Sequence, residues 1–110
     1  MKPKLEARVY LKGKLICVGR NSYTSSTKLQ RRFGGGLKPF VHAELDAIRE
    51  ALYKLKDLTK LNDCELWVER VRGDGKLGLA KPCDCCQAAL RVFTFKRVYY
   101  TTESGWRALQ

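Results

Sequence analysis

The chain lacks any apolar run near the roughly 18 residues that a membrane-spanning helix needs, so no membrane partner is expected. Its basic start, Met1-Lys2-Pro3-Lys4, leads into Leu5-Glu6-Ala7-Arg8 rather than an apolar stretch. That pattern argues against a secretory leader. Cysteine is present as an odd set of five: Cys17, Cys64, Cys83, Cys85 and Cys86. An odd set with no leader argues against a disulfide framework, and the expected setting is reducing and cytoplasmic. No internal repeat is visible, and low complexity is confined to Gly34-Gly35-Gly36. Acids are scarce, 11 against 22 Lys and Arg, for a net charge of +11.

What is present fits one compact domain over residues 1–110, with too little chain for two. Apolar residues make up 45% and charged residues 30%, which argues against disorder by composition. The charge is uneven. Residues 1–38 hold ten bases and one acid, residues 39–75 six bases and eight acids, and residues 76–110 six bases and two acids. The N-terminal third therefore carries most of the positive field, which serves either solubility or the attraction of phosphates.

The order of elements reads as a hairpin followed by alternating helices and strands. Leu5–Leu11 and Lys14–Arg20 have β-branched and apolar character, with Lys12-Gly13 as a tight turn between them. Residues 21–40 are polar and glycine-rich, and read as a long loop with a short helix near Thr27–Arg32. Val41, Leu45, Ile48, Leu52 and Leu55 recur every three or four residues, the stripe of an amphipathic helix. Ala43, Ala47 and Ala51 beside that stripe suit close packing on a sheet. Cys64–Arg72 reads as a third strand, Cys83–Phe93 as a second helix and Lys96–Thr102 as a fourth strand. Residues 73–81, and Gly105-Trp106 near the end, read as loops. Alternation of this kind predicts an α/β fold with helices packed on a mixed sheet.

The chemistry lies where the two helices begin. His42-Ala43-Glu44 opens the first and Pro82-Cys83-Asp84-Cys85-Cys86 the second. Cys83 and Cys86 are three residues apart, so both reach one point from a helix start, and His42 supplies a third donor. Three N/S donors suit tetrahedral zinc with its fourth position left for water. A helix N-terminus also favours thiolate over thiol. Pro82 restrains the chain ahead of the ligands without disturbing the helix. Zinc acidifies its water, and Glu44, two residues from the histidine, is placed to take that proton and deliver it elsewhere. Other readings of the same residues are a purely structural zinc site and a redox cysteine pair. Cys17 and Cys64 read as buried strand residues, and Cys85 as a packing residue or spare thiol.

His42-Ala43-Glu44 followed by Pro82-Cys83 and Cys86 resembles the signature of zinc-dependent deaminases acting on nucleosides and nucleic-acid bases, the cytidine/deoxycytidylate deaminase superfamily. The likeness spans the hairpin, Gly19-Arg20-Asn21, both motif helices and Val98-Tyr99-Tyr100. It implies an α-β-α sandwich whose mixed central sheet has four to five strands, with the two motif helices on one face. It implies His42, Cys83 and Cys86 as zinc ligands and Glu44 as proton shuttle. The Ala43 amide would bind the base carbonyl, and Asn21 the sugar and base. Pro82 counts among the substrate-side residues. Two departures stand out: about twenty residues separate Asn21 from His42, and the chain ends where relatives continue with a fifth strand and a helix. A homo-oligomer covering that edge follows as an expectation.

The resemblance implies hydrolysis of cytosine to uracil in a free (deoxy)cytidine nucleoside or nucleotide. A second reading is cytosine or adenine deamination in single-stranded DNA or RNA, since Lys28, Arg31, Arg32 and Lys38 interleave with Tyr23, Phe33 and Phe40. A third, of another class, is a zinc-stabilised nucleic-acid-binding module without turnover. Trp106 and Tyr100 either flank the base or pack beneath the chain's end.

Overall fold

The computed structural model describes residues 4–21 and 42–109, apart from the side chains of Asp84 and Cys85. The expected helix near Thr27–Arg32 and the candidate contacts Lys28, Arg31, Arg32 and Lys38 lie outside the described residues.

The expected hairpin forms from β1 (Lys4–Leu11) and β2 (Lys14–Arg20). Lys12 and Gly13 both take positive φ, the geometry of a two-residue turn that matches strand twist. Helix α1 spans Ala43–Leu55 and ends at Lys56, whose φ of 55° turns the chain left-handed. A 3₁₀ turn (Leu58–Asp63) is capped by Asp57, which accepts from the Thr59 amide at 2.9 Å. Strand β3 (Cys64–Val71), the short β4 (Leu77–Gly78), helix α2 (Asp84–Val92), β5 (Arg97–Thr102) and β6 (Gly105–Ala108) complete the order.

These strands make one mixed sheet in the order β2-β1-β3-β5-β6, with β4 paired to β3 off that path. The β3–β5 pair is parallel and the others antiparallel. Two strands lie where loops were expected. Strand β4 folds back on the end of β3, because the tight connection after Val71 returns Leu77 beside it. Gly105, at φ 123°, reverses the chain so that Trp106 pairs with Thr101, which corrects the reading of Gly105-Trp106 as a loop.

Pairing of Ala7 with Val68 and of Val9 with Leu66 puts these four on one face. Helices α1 and α2 pack on that face through Leu45, Ile48, Cys86 and Ala89. Leu45, Ile48, Leu61 and Leu66 are fully buried, each worth about 2 kcal/mol relative to exposure. Cys17 and Cys64 are buried in the same core, as expected. On the other face Trp67 gathers Tyr10, Tyr99 and Trp106, with ring centroids 6.4, 4.2 and 5.1 Å away. No helix of the described residues is long and apolar enough to cross a membrane.

One contact fixes how closely α1 lies on the sheet. A Cβ at Gly19 would stand 2.3 Å from the Ala47 nitrogen and 2.4 Å from the Ala43 oxygen. Both are backbone atoms and cannot swing aside. Gly19→Ala is therefore expected to destabilise the fold by about 2–3 kcal/mol, as overpacking does. Urea unfolding measures it, and a loss below about 0.5 kcal/mol would mean that α1 can lift from β2 without cost.

Candidate active site

The two helix starts meet at the edge where β2 ends. His42 is the N-cap of α1 and Cys83 the N-cap of α2, both with extended backbone and neither with its side chain capping its helix. N-caps are ordinarily Ser, Thr, Asp or Asn bonding the first-turn amides. Here both positions carry metal-binding side chains instead, free of capping duty. Cys86 follows one turn into α2, so the 3-residue spacing brings its thiol back over the helix start.

The geometry is tight. His42 Nδ1 lies 3.3 Å from both Cys83 Sγ and Cys86 Sγ. The three donor atoms all fall within 4.8 Å of one another. Cys86 is fully buried and Cys83 partly so. The Cys86 thiol, donating to Cys83, pulls the Cys83 thiol down to about 3, and His42 adds to that pull. The same bond, together with burial, pushes Cys86 up. The two sulfurs thus share a proton, which a bound cation would displace. Two sulfurs and one imidazole nitrogen are a soft donor set suited to zinc, with room for a fourth ligand.

Glu44, in the first turn of α1, is 4% exposed. Burial pushes its carboxyl above its ordinary value, opposed by hydrogen bonds from its own amide and from Cys86. Burial thus favours the protonated form of this carboxyl more than solvent would. Ala43 is buried beside it. As the first residue of α1, its amide has no acceptor within the helix.

The chain leading into Cys83 is held from two sides. The Ala80 amide donates to the Thr101 carbonyl at 2.9 Å. Gln87 Nε2 donates to the Pro82 carbonyl at 2.8 Å, and Pro82 itself is buried. Thr101, fully buried, also donates its hydroxyl to the Gly78 carbonyl and accepts from the Arg70 amide. Sequence reasoning missed Gln87 and Thr101. The placement of Gln87 one turn beyond Cys83 was the available signal, whereas Thr101 matters only through strand β4.

Asn21 stands directly after β2. Its carboxamide oxygen accepts from the Leu5 amide at 3.1 Å, and its own amide donates to the Leu5 carbonyl at 3.3 Å. The side chain thus extends the β1–β2 ladder by one rung, leaving its NH₂ as the polar group to offer. Trp106 does not join His42, Glu44 and the cysteines: it packs on Trp67, on the sheet face away from the helices. Tyr100 packs on the core side, partly buried. The expectation for Cys85 falls on a side chain outside the described ones.

The family model of the cytidine and deoxycytidylate deaminase zinc-binding region matches residues 7–102. The chain belongs to that family. The match covers most of the chain and contains the whole His-Cys-Cys group. Membership supports zinc-dependent deaminase chemistry in general, and the deaminase α/β architecture agrees with the mixed sheet and its packed helices. No curated protein and no solved structure matches the chain.

Cys83→Ser is expected to abolish stoichiometric zinc binding and to lower thermal stability, while Cys85→Ser keeps one zinc per chain. Metal content of the purified variants by mass spectrometry decides it. Full zinc in the Cys83 variant would remove it from the ligand set.

Proposed function

We propose that the domain hydrolyses the 4-amino group of cytosine in a free (deoxy)cytidine nucleoside or nucleotide, releasing ammonia and leaving uracil. The observation that carries this reading is the buried Glu44 carboxyl beside a three-donor His-Cys-Cys group at the meeting of two helix starts. A structural zinc site has no use for a buried carboxyl of this kind, and burial of a lone acid is costly unless it serves something.

In this reading His42, Cys83 and Cys86 hold the zinc, which supplies an acidified water when bound. Glu44 takes a proton from the attacking water and passes it to the ring nitrogen next to C4. Oxygen bonds to C4, and the ring takes up the displaced electron pair. Glu44 then carries the remaining hydroxyl proton to the amino group. The C4–N bond breaks, ammonia leaves, and the carbonyl of uracil forms. One water is consumed and one ammonia released, with Glu44 returned to its starting state. The Ala43 amide donates to the base carbonyl, and Pro82 counts among the residues on the substrate side. Asn21, with its oxygen engaged by Leu5, presents N–H donors toward the sugar or base.

Glu44→Gln is expected to retain zinc and fold while lowering deamination by at least about a thousandfold, the scale of losing the group that moves the proton. The substrates are cytidine, deoxycytidine, deoxycytidine monophosphate and a cytosine-containing single-stranded oligonucleotide, each followed by mass. A gain of about one dalton on the small molecules, lost in the Gln variant, supports the reading. The same gain on the oligonucleotide alone would replace it with nucleic-acid editing. Zinc binding with turnover of none of them would leave a binding module.

A further inference from the structure

Strand β2 is an edge of the sheet, so alternate backbone groups along it face no neighbouring strand. Two of them are met by side chains of α1. Asp46 Oδ2 accepts from the Arg20 amide at 3.0 Å. Lys54 Nζ donates to the Ile16 carbonyl at 3.0 Å. The spacings agree. Asp46 and Lys54 are eight helical residues apart, about 12 Å, and Ile16 and Arg20 are four strand residues apart, about 13 Å. The helix therefore runs antiparallel to β2 with a tie at each end. Between the ties, Gly19 lets the two backbones touch.

The near tie sits at the site. Arg20 precedes Asn21, and Asp46 lies two residues beyond Glu44. The Asp46 side chain is only 18% exposed and is itself oriented by Arg49, one turn further along α1. The Arg20 guanidinium turns the other way, to Glu6 at 3.3 Å, so the backbone amide alone meets Asp46. A slip of α1 by one residue against β2 would shift Glu44 by about 1.5 Å and rotate it by about 100°. An error of that size between Asn21, which holds the substrate, and the group it is held against costs on the order of a hundredfold in kcat/KM, felt as weaker binding of the aligned substrate.

We propose that Asp46 is a positioning residue: by holding the Arg20 amide it sets the register of α1 on β2, and so fixes the distance between Asn21 and Glu44. Lys54 secures the same register from the far end. The activity readout rests on the deaminase reading above; the structural readouts do not.

The test uses the full zinc-loaded chain with Asp46→Ala and Asp46→Asn, each alone and combined with Asn21→Ala. In Asp46→Ala, kcat/KM on the best cytosine substrate is expected to fall about tenfold to a hundredfold. The loss lies mostly in KM, and zinc content is unchanged. Amide hydrogen exchange at Arg20 speeds up in that variant. In Asp46→Asn the carboxamide oxygen still accepts the amide, so KM and Arg20 protection return towards the parent. In the Asn21→Ala background, Asp46→Ala adds little, because both act through one contact. Parental KM in Asp46→Ala, a loss as large in Asp46→Asn, or full additivity with Asn21→Ala would each overturn the proposal. If Asp46→Ala does not fold, Lys54→Met is measured in its place: a smaller rise in KM is expected, and no rise overturns. A parent that binds zinc but deaminates nothing defeats the deaminase reading alone. Exchange at Arg20 then decides whether Asp46 holds the register.

Discussion

Backbone-to-backbone contact between β2 and α1 at Gly19 is the constraint on which the rest of the structure depends. A side chain there would stand inside van der Waals distance of two α1 backbone atoms. Its absence lets the alanine stripe of α1 seat on the sheet, and that seating brings the start of α1 level with the end of β2. Ala43 then lies against Gly19, two residues before Asn21. A wider helix–sheet separation would keep the core apolar and still pull the site apart. Packing density and site geometry are therefore one property here.

The second constraint is that both motif helices begin at this edge with their N-cap positions given over to donors. A serine or aspartate at residues 42 and 83 would satisfy first-turn amides, typically worth about 1 kcal/mol at each helix. The protein forgoes that at both. What it gains is a His-Cys-Cys group within bonding reach of one point, under the positive ends of two helix dipoles. Glu44 adds a further local cost, a carboxyl nearly sealed from solvent. Departures from local rules gathered at one place are the usual mark of a functional site. The supports around them, Gln87 on the Pro82 carbonyl and Thr101 on Ala80, keep the arrangement from relaxing.

Charge enters at a different scale. The chain carries +11, yet the sheet face away from the helices mixes signs, with Arg8 joined to Glu6 and Glu69, and Arg20 to Glu6. Among the described residues that face is therefore not uniformly basic.

Much was legible in the residues alone. The hairpin with its Lys12-Gly13 turn, the amphipathic stripe of α1, the buried Cys17 and Cys64, and the donor set His42, Cys83 and Cys86 all follow from local pattern. Periodicity and turn chemistry act over a few residues and do not need the fold. Strands β4 and β6 were not legible in that way. Two residues and four residues are too short for a period, and each strand exists because a neighbour already in place accepts its hydrogen bonds. The same holds for Trp106, whose sequence neighbours say nothing of Trp67. Asp46 and Lys54 read as ordinary surface charges of a helix until β2 lies alongside them. The sequence by itself determined which metal-type donors are available at the two helix starts, since donor type and spacing are local. Only the tertiary structure decided where they stand, because α1 meets β2 through a glycine and two edge-strand hydrogen bonds, between elements more than twenty residues apart in the chain.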